Sequence, residues 1–168
     1  MAKRRIMFHT QGYHIPYLTE PKLCTRDDAW LGHGFYYWSE ETDAIYWGKV
    51  AKKRYKKFSV YFSDIIGDDV LDTVFNAEHY KFWVESMEKV AEYLYKKTHR
   101  KPTIADINSY FLQRGGWDKK VPGIMFQDLP ANETMTKVVG FYYKKRIQMA
   151  VFDSRIIANF IHHFDGEC

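Results

Sequence analysis

The sequence lacks paired cysteines, long apolar runs, internal repeats and low-complexity tracts, and each absence excludes a class of protein. Its two cysteines, Cys24 and Cys168, lie far apart, so neither a disulfide framework nor a Cys-x-x-Cys metal site is indicated. No stretch approaches the roughly 18 apolar residues of a membrane span, and no apolar run follows the basic first residues as in a signal peptide. We therefore expect a cytoplasmic protein that makes no membrane contact.

Common catalytic and metal motifs are missing as well. The sequence contains no Gly-x-Ser-x-Gly motif, no Walker loop and no Rossmann glycine fingerprint. We also expect no metal, because no histidine pair shows the i, i+4 helical spacing with a third ligand that a zinc site needs. The histidines that could serve as ligands of such a site are His79, His99, His162 and His163.

The composition is that of an ordinary folded domain with an excess of aromatic residues. Hydrophobic residues make up 46% of the chain and charged residues 27%, so we interpret residues 1–168 as a single domain. The aromatic share of 18% suits a filled core or a cleft that stacks flat ligands. The net charge is only +4, yet Lys49 to Lys57 holds six basic residues in nine. This stretch is either a solvated helix face or a surface for an anionic ligand.

Hydrophobic periodicity and turn residues predict an α+β fold with a split, mostly antiparallel β-sheet and a helical insert at about residues 76–116. The predicted strands are Arg5 to His9, Phe58 to Phe62, Gly123 to Phe126, Val138 to Tyr143 and Gln148 to Phe152. The first predicted helix begins at a cap on Ser39 and ends at about Lys53, and the second runs from Asn76 to His99. The third begins at a cap on Thr103 and ends at about Leu112, before Gly115-Gly116. A closing helix is predicted to begin at a cap on Asp153 and to turn Ile156, Ile157, Phe160 and Ile161 inward. Residues Tyr13 to Gly34 are predicted to be a loop, and Lys144-Lys145-Arg146 a turn.

Three separate segments carry residue types suited to a nucleotide cleft. The first is the strand Ile6-Met7-Phe8-His9-Thr10, which ends on a histidine and a small hydroxyl residue. The second is Gly32-His33-Gly34-Phe35-Tyr36, which leads into a helix bearing Tyr46-Trp47. The third is Gln148-Met149-Ala150-Val151-Phe152-Asp153, a strand that begins on an amide.

In order and local setting these segments resemble the ADP-ribosyltransferase superfamily, in its diphtheria-toxin-like and poly(ADP-ribose)-polymerase-like branch, which carries a His-Tyr-Glu triad on a split sheet. The resemblance covers about half of the chain, at its two ends. It implies NAD as co-substrate and His9, Tyr36 and Gln148 as the triad. His9 would bind the adenosine-side ribose, and Tyr36 would stack on one face of the nicotinamide ring. Tyr46, or Trp47 one residue further along the helix, would cover the other face of that ring.

The same resemblance implies further contacts to NAD. The backbone at Thr10 would hold the nicotinamide carboxamide, Gly34 belongs to the glycine segment before Tyr36, and Arg26 would contact the pyrophosphate. The chain departs from the family at two of these positions. Thr10 stands where a glycine is usual, and Gln148 keeps the hydrogen-bonding shape of glutamate without its charge. Glu133 is the nearest carboxylate in sequence that could contribute.

Cleavage of the nicotinamide–ribose bond passes through an oxocarbenium-like transition state, which a preorganised charge stabilises. The first hypothesis is thus an enzyme that transfers one ADP-ribose unit to a macromolecular acceptor, protein or nucleic acid, and releases nicotinamide. A second is an NAD- or ADP-ribose-binding module without turnover, since Gln148 supplies no charge. A third is a nucleic-acid interaction protein that uses Lys49 to Lys57 and exposed aromatic residues. The resemblance also suggests a cognate inhibitor protein as a partner.

Overall fold

A seven-stranded sheet forms the centre of the protein, in a computed structural model that describes residues 3–128 and 135–168. Over these residues the chain is α+β, with three α-helices and a mostly antiparallel sheet in which only β4 and β5 run parallel. The strands are β1 (Arg4–Gly12), β2 (Phe35–Trp38), β3 (Lys57–Ile66), β4 (Leu71–Asp72), β5 (Gly123–Gln127), β6 (Met135–Val138), β7 (Phe141–Tyr143), β8 (Ile147–Val151) and β9 (Ile157–Glu167). The helices are α1 (Glu41–Ala51), α2 (Ala77–Thr98) and α3 (Ile104–Arg114).

The strand order is β4-β5-β8-β2-β1-β3-β9, and the weak junction lies between β2 and β1. Strands β1 and β3 pair over their whole length, from Arg4 opposite Ile66 to Gly12 opposite Phe58. By contrast, β1 and β2 share a single register pair, Phe8 opposite Trp38. The predicted mostly antiparallel sheet is confirmed, and we use the word split for this narrow junction, where a single register pair joins the two halves of one sheet.

Side-chain alternation assigns the sheet residues to two faces. Tyr36, Trp38 and Gln148 point to the face on which the helices pack, while Tyr37 and Met149 point to the other. On the helix face, α1 packs through Ala44 and Trp47 around Trp38. Helices α2 and α3 cover the neighbouring strands through a second apolar cluster of buried residues: Leu31, Leu71, Trp83, Ile107, Phe111, Trp117, Ile124 and Ala150.

Side-chain caps open two of the three α-helices: Asn76, the start of a predicted helix, and Thr103, a predicted cap. The Asn76 side chain accepts hydrogen bonds from the backbone of Glu78 and His79, and Thr103 forms a reciprocal capping box with Asp106. The Ser39 cap is wrong. Glu40 occupies the N-cap of α1 without a side-chain bond, and Ser39 still pairs with the sheet, since its N–H donates to the Ile147 carbonyl at 3.1 Å.

The predicted closing helix is also wrong. Asp153 caps only a single 3₁₀ turn, Ser154–Ile156, and residues 157–167 form β9 along β3. Two register shifts in this pairing, between Val60 and Tyr61 and between Phe62 and Asp64, break the strict alternation of an edge strand. The interrupted alternation produced apolar spacings that look helical in the sequence.

The predicted strand from Val138 to Tyr143 is two strands. Gly140 has φ +83°, a left-handed conformation that suits glycine in a turn, and it lies between β6 and β7. The two strands pair only with each other, as a small separate sheet, so β7 does not pair with β8. Among the described residues, no helix has both the length and the apolar character needed to cross a membrane.

Candidate functional site

A cleft of about 710 Å³ opens on the helix face between the α1 cluster and the α2–α3 cluster. Trp38 and Trp47 line it on the α1 side, and Trp30 and Tyr36 line it on the other. His9 and Gln148 line the same cleft, so the structure brings together the three residues predicted from distant segments. The volume lies within the 300–1,000 Å³ typical of small-ligand sites.

His9 lies at the split between β1 and β2. Its Nδ1 donates a hydrogen bond of 2.8 Å to the Tyr36 carbonyl, just beyond the single register pair of these strands. Because a carbonyl only accepts, Nδ1 carries the proton and Nε2 is left as an acceptor. Nε2 is buried and has no partner among the described residues, and the side chain is only 4% exposed. The imidazole packs against Tyr37, whose ring points to the sheet face away from the helices, with ring centroids 5.4 Å apart, and against Phe160 at 5.8 Å.

Burial sets the protonation of His9. It lowers the pKa of the imidazole to about 4, the hydrogen bond to Tyr36 opposes this shift, and the nearby positive charge of Lys52 adds to it. His9 is thus neutral at physiological pH.

Tyr36 is fixed by its hydroxyl. That group accepts a 3.0 Å hydrogen bond from the Leu31 N–H and donates one of 2.7 Å to the Gly32 carbonyl. Burial raises the pKa of the phenol well above its ordinary value, so it stays protonated. With the hydroxyl engaged by the loop, the ring is the part of Tyr36 left to meet a ligand in the cleft.

Asn108 of α3 supports the same loop. Its amide nitrogen donates to the Leu31 carbonyl at 3.0 Å, and its oxygen accepts from the Trp83 indole at 3.4 Å. All three groups are buried. The helical insert therefore holds, through Leu31, the backbone that fixes the Tyr36 hydroxyl.

Gln148 is oriented by Trp30. The Trp30 indole donates a hydrogen bond of 2.6 Å to the Gln148 Oε1 atom. An indole N–H only donates, which decides the amide orientation, with oxygen toward Trp30 and the NH₂ group turned away. Gln148 therefore has donor hydrogens for ligand groups and no negative charge.

A carboxylate lies next to Gln148. Phe126 is directly opposite Gln148 across the β5–β8 ladder, and Asp128, the first residue after β5, is two residues beyond Phe126 and on the same face. Asp128 also lines the cleft. Its carboxylate accepts a 2.6 Å hydrogen bond from Arg146, whose guanidinium lies 5.4 Å from the Trp38 ring centroid.

A second carboxylate, Asp43 of α1, lies close enough to Arg146 and Asp128 to interact with both. Burial raises the pKa of Asp43, the positive charge of Arg146 lowers it, and the negative charges of Glu40 and Asp128 raise it further. Arg146 therefore has two carboxylates near it. Its Nη1 is buried and without a hydrogen-bond acceptor among the described residues.

Some of the remaining residues predicted to contact NAD line the cleft, and others do not. Thr10 lines the cleft, and its hydroxyl donates to the Ala44 carbonyl of α1 at 2.7 Å, so the side chain packs against the helix. Of the two alternative rings on α1, Trp47 lines the cleft and Tyr46 does not; the Tyr46 ring lies 5.1 Å from the Arg146 guanidinium instead.

Gly34 also lies outside the wall. It forms a β-bridge with Cys24, and a Cβ at this position would approach the Val151 carbonyl oxygen to 3.0 Å. The glycine is needed for close packing on β8, and it holds the loop containing Cys24, which does line the cleft.

Cations line one end of the cleft: Lys22, Arg26, Lys52 and Arg54. Arg26, the predicted pyrophosphate contact, already forms a bidentate pair with Asp28. Lys52 forms no salt bridge among the described residues, and burial, followed by the charge of Arg26, lowers its pKa. Lys22, Lys52 and Arg54 are therefore the lining cations without a carboxylate partner among the described residues, and Lys52 is the most buried of the three.

No group of three His, Cys, Asp or Glu side chains in the described part of the chain is arranged to hold a metal ion. Glu133, the carboxylate suggested by sequence proximity, lies outside the described residues.

Comparisons with protein-family models, with curated proteins and with solved structures find no match.

Sequence reasoning missed three of the residues that shape this site. Trp30 and Asn108 lie within predicted loop and helix patterns, and nothing in their spacing points to Gln148 or Leu31. Asp128 did leave a signal, because it follows the predicted strand Gly123 to Phe126 by two residues, where a side chain keeps the face of the strand end.

Proposed function

We propose that this protein is an NAD-dependent ADP-ribosyltransferase that transfers a single ADP-ribose unit to a macromolecular acceptor and releases nicotinamide. The observation that carries the proposal is the convergence of His9, Tyr36 and Gln148 on one cleft of about 710 Å³ beside the split of the sheet. This arrangement supports the ADP-ribosyltransferase type of fold as well.

The cleft offers partners for each chemical part of NAD. For the unpaired Nε2 of His9 to accept from a ribose hydroxyl, NAD has to displace part of the ring packing that buries this atom. The Tyr36 ring and Trp47 are flat apolar surfaces for nicotinamide. Lys52 and Arg54 supply positive charge for the pyrophosphate, which gives the basic stretch around Lys52 a functional role rather than a solvated one.

In this proposal the glycosidic bond between ribose C1′ and the nicotinamide nitrogen breaks, and the bonding electron pair neutralises the pyridinium ring. His9 and Gln148 hold ribose hydroxyls, and the aromatic walls exclude water from the developing cation. The acceptor then bonds to C1′ and loses a proton to water. The protein's part is binding, orientation and electrostatics, while NAD carries the reactive bond.

A second candidate is an NAD- or ADP-ribose-binding module without turnover. One observation favours it: the Trp30 indole fixes the Gln148 amide with its oxygen already engaged, so this position presents donors where a carboxylate would present charge. Loss of such a preorganised group typically costs about 3–4 kcal/mol of transition-state stabilisation.

Incubation with NAD labelled in the adenylate part, in the presence of a cell lysate, separates the two candidates. The enzyme releases nicotinamide and labels a macromolecule, and His9→Ala and Tyr36→Ala abolish both signals. His33→Ala is the matched control, since His33 is exposed and outside the cleft wall. Saturable NAD binding by calorimetry without nicotinamide release would favour the binding module. Absence of both binding and release would contradict the whole proposal.

A further inference from the structure

We infer that the macromolecular acceptor is a single-stranded nucleic acid, which docks on a basic surface beside one end of the cleft. This inference rests on the proposed function and names its acceptor. The surface consists of exposed lysines that lie outside the cleft wall and form no salt bridge with any described residue: Lys49, Lys53 and Lys56. We call these three residues the outer lysines.

The outer lysines adjoin the cleft because they alternate with residues of its wall. Lys49 lies in the last turn of α1, and Lys53 and Lys56 belong to the turn that follows this helix. Lys52, Arg54 and Tyr55, from the same short segment, line the cleft. A ligand that extends out of the basic end of the cleft therefore meets further positive charge.

The positive charge at this end exceeds what NAD can neutralise. Each phosphate of the NAD pyrophosphate carries one negative charge, as each phosphate of a nucleic acid does. Lys22, Lys52 and Arg54 already line the cleft without a carboxylate partner among the described residues, even when Arg26 is left out because it pairs with Asp28. The outer lysines add three more charges beyond the wall. Unpaired cations that continue past a dinucleotide site suit a polyanion.

Lys57, the next basic residue in the chain, is not part of this surface. Its neighbour Phe58 packs under Gly48 of α1 on the helix face of the sheet, so alternation along β3 turns Lys57 to the other face. There Lys57 stands opposite Glu167 of β9. The basic surface is thus confined to the end of α1 and the turn after it, on the side where the cleft opens.

Arg54 and Tyr55 favour a nucleic acid over an acidic protein. The Arg54 guanidinium lies 4.7 Å from the centroid of the Tyr55 ring and donates a 2.8 Å hydrogen bond to its hydroxyl. The ring packs so closely on Gly12 that a Cβ there would lie 2.5 Å from Cγ of Tyr55. Guanidinium planes and aromatic rings stack on nucleobases, and both of these exposed side chains line the cleft. A duplex keeps its bases inside the stack, so a single strand is the form that fits.

The transfer step balances with the strand as the nucleophile. The bond between ribose C1′ and the nicotinamide nitrogen breaks, and its electron pair leaves with nicotinamide. A nucleophilic nitrogen or oxygen atom of the strand then bonds to C1′, and its proton passes to water. The outer lysines hold phosphates of the strand during this step and take no part in breaking or forming bonds.

The first test measures binding of mixed-sequence single-stranded DNA and RNA oligonucleotides by the full chain. The test protein carries Lys49→Gln, Lys53→Gln and Lys56→Gln together. Its affinity should fall about tenfold or more at low salt. The slope of log affinity against log salt should fall in magnitude by about 2, since each phosphate contact on a single strand contributes about 0.7.

A second triple variant is the matched control. It removes the same charge from exposed lysines of the helical insert that form no salt bridge among the described residues: Lys89→Gln, Lys97→Gln and Lys101→Gln. Its affinity and salt slope should stay close to those of the wild type. Thermal melts accompany both variants. If the outer triple variant is unfolded, its three single variants replace it, each with a slope reduced by about 0.7.

The second test measures transfer from NAD labelled in the adenylate part to the same oligonucleotides. The wild type should give a labelled product that nuclease destroys and protease does not. The outer triple variant should lower kcat/KM for the oligonucleotide about tenfold or more, by the same loss of phosphate contacts. Its dissociation constant for NAD, from calorimetry, should stay within about threefold, because the outer lysines lie outside the cleft wall.

Each way of failing has its own signature. Label that enters proteins of a lysate but no oligonucleotide would make the acceptor a protein, and would overturn this inference while the transferase stands. Equal losses in the outer and control variants would overturn the role of the surface. A wild type that neither binds NAD nor releases nicotinamide would overturn the proposed function, and the acceptor with it.

Discussion

The Trp30 indole donates a 2.6 Å hydrogen bond to Oε1 of Gln148, across 118 residues of sequence. This bond ties the loop before β2 to the start of β8, and both side chains line the cleft. It decides which end of the amide faces a ligand. The same indole could donate equally well to a carboxylate, so the surroundings tolerate a glutamate at this position.

Replacement of Trp30 by Phe tests this contact. The change leaves Oε1 of a 5% exposed Gln148 without its donor, so we expect the free energy of unfolding to fall by about 1–3 kcal/mol. Denaturant unfolding measures the change. A double-mutant cycle with Gln148→Leu should show coupling of about 1 kcal/mol, and additivity of the two changes would contradict the contact.

Acid should destabilise the protein through His9. Its pKa is about 4 in the folded state against an ordinary 6.5, so between these values the unfolded state binds more protons. The stabilisation from neutral His9 is complete above pH 6.5 and is lost as pH falls toward 4. By pH 5 the loss amounts to about 2 kcal/mol.

Denaturant unfolding at pH 7 and pH 5 checks this expectation. His9→Gln should show a shallower loss than the wild type, and His33→Gln, which changes an exposed histidine, should not. Equal slopes for the wild type and His9→Gln would show that the imidazole is not buried as described.

Asn108→Ala should destabilise the protein although it lies on a helix outside the cleft. The substitution leaves the Leu31 carbonyl and the Trp83 indole without their partner and opens a small cavity, with an expected cost of about 2–4 kcal/mol. Because Leu31 also donates to Tyr36, NAD affinity should weaken at temperatures where the variant remains folded. Unfolding curves and calorimetry measure the two effects, and an unchanged midpoint would contradict this network.

The packing of α1 on β3 predicts a pair of glycine variants with opposite outcomes. A Cβ added at Gly48 would lie 2.2 Å from Cδ2 of Phe58, a fully buried ring, so Gly48→Ala should cost about 1–3 kcal/mol. At Gly67 the nearest atom is 3.8 Å away, on Ile156, and Gly67→Ala should be close to neutral. Thermal melts of both variants check the difference, and equal melting temperatures would contradict the α1 packing.

The sequence predicted the α+β class and the helical insert because these depend on local signals. Asn76 and Thr103 are strong N-caps, and the mostly antiparallel sheet followed from the strands predicted toward both ends of the chain. The prediction of a closing helix was wrong because register shifts between β3 and β9 interrupt the alternation by which an edge strand is recognised. Such shifts depend on the partner strand and leave no local signal.

For the site, the order and local setting of three segments predicted His9, Tyr36 and Gln148, and in the structure all three residues line one cleft. It could not supply the neighbours that act through tertiary contact. Asp128 reaches Gln148 through the β5–β8 register, and Trp30 reaches it through a loop. Pairing across strands decides both, and no spacing along the chain encodes it.

The most direct test of the cleft is the nitrogen resonance of the His9 imidazole during an NAD titration of histidine-labelled protein. We expect a neutral Nδ1–H tautomer in the free protein and a saturable shift of the Nε2 resonance. That shift should follow the same dissociation constant as calorimetry and vanish in Tyr36→Ala. Saturation of the protein by NAD with the His9 resonances unmoved, or no binding at millimolar NAD, would contradict it.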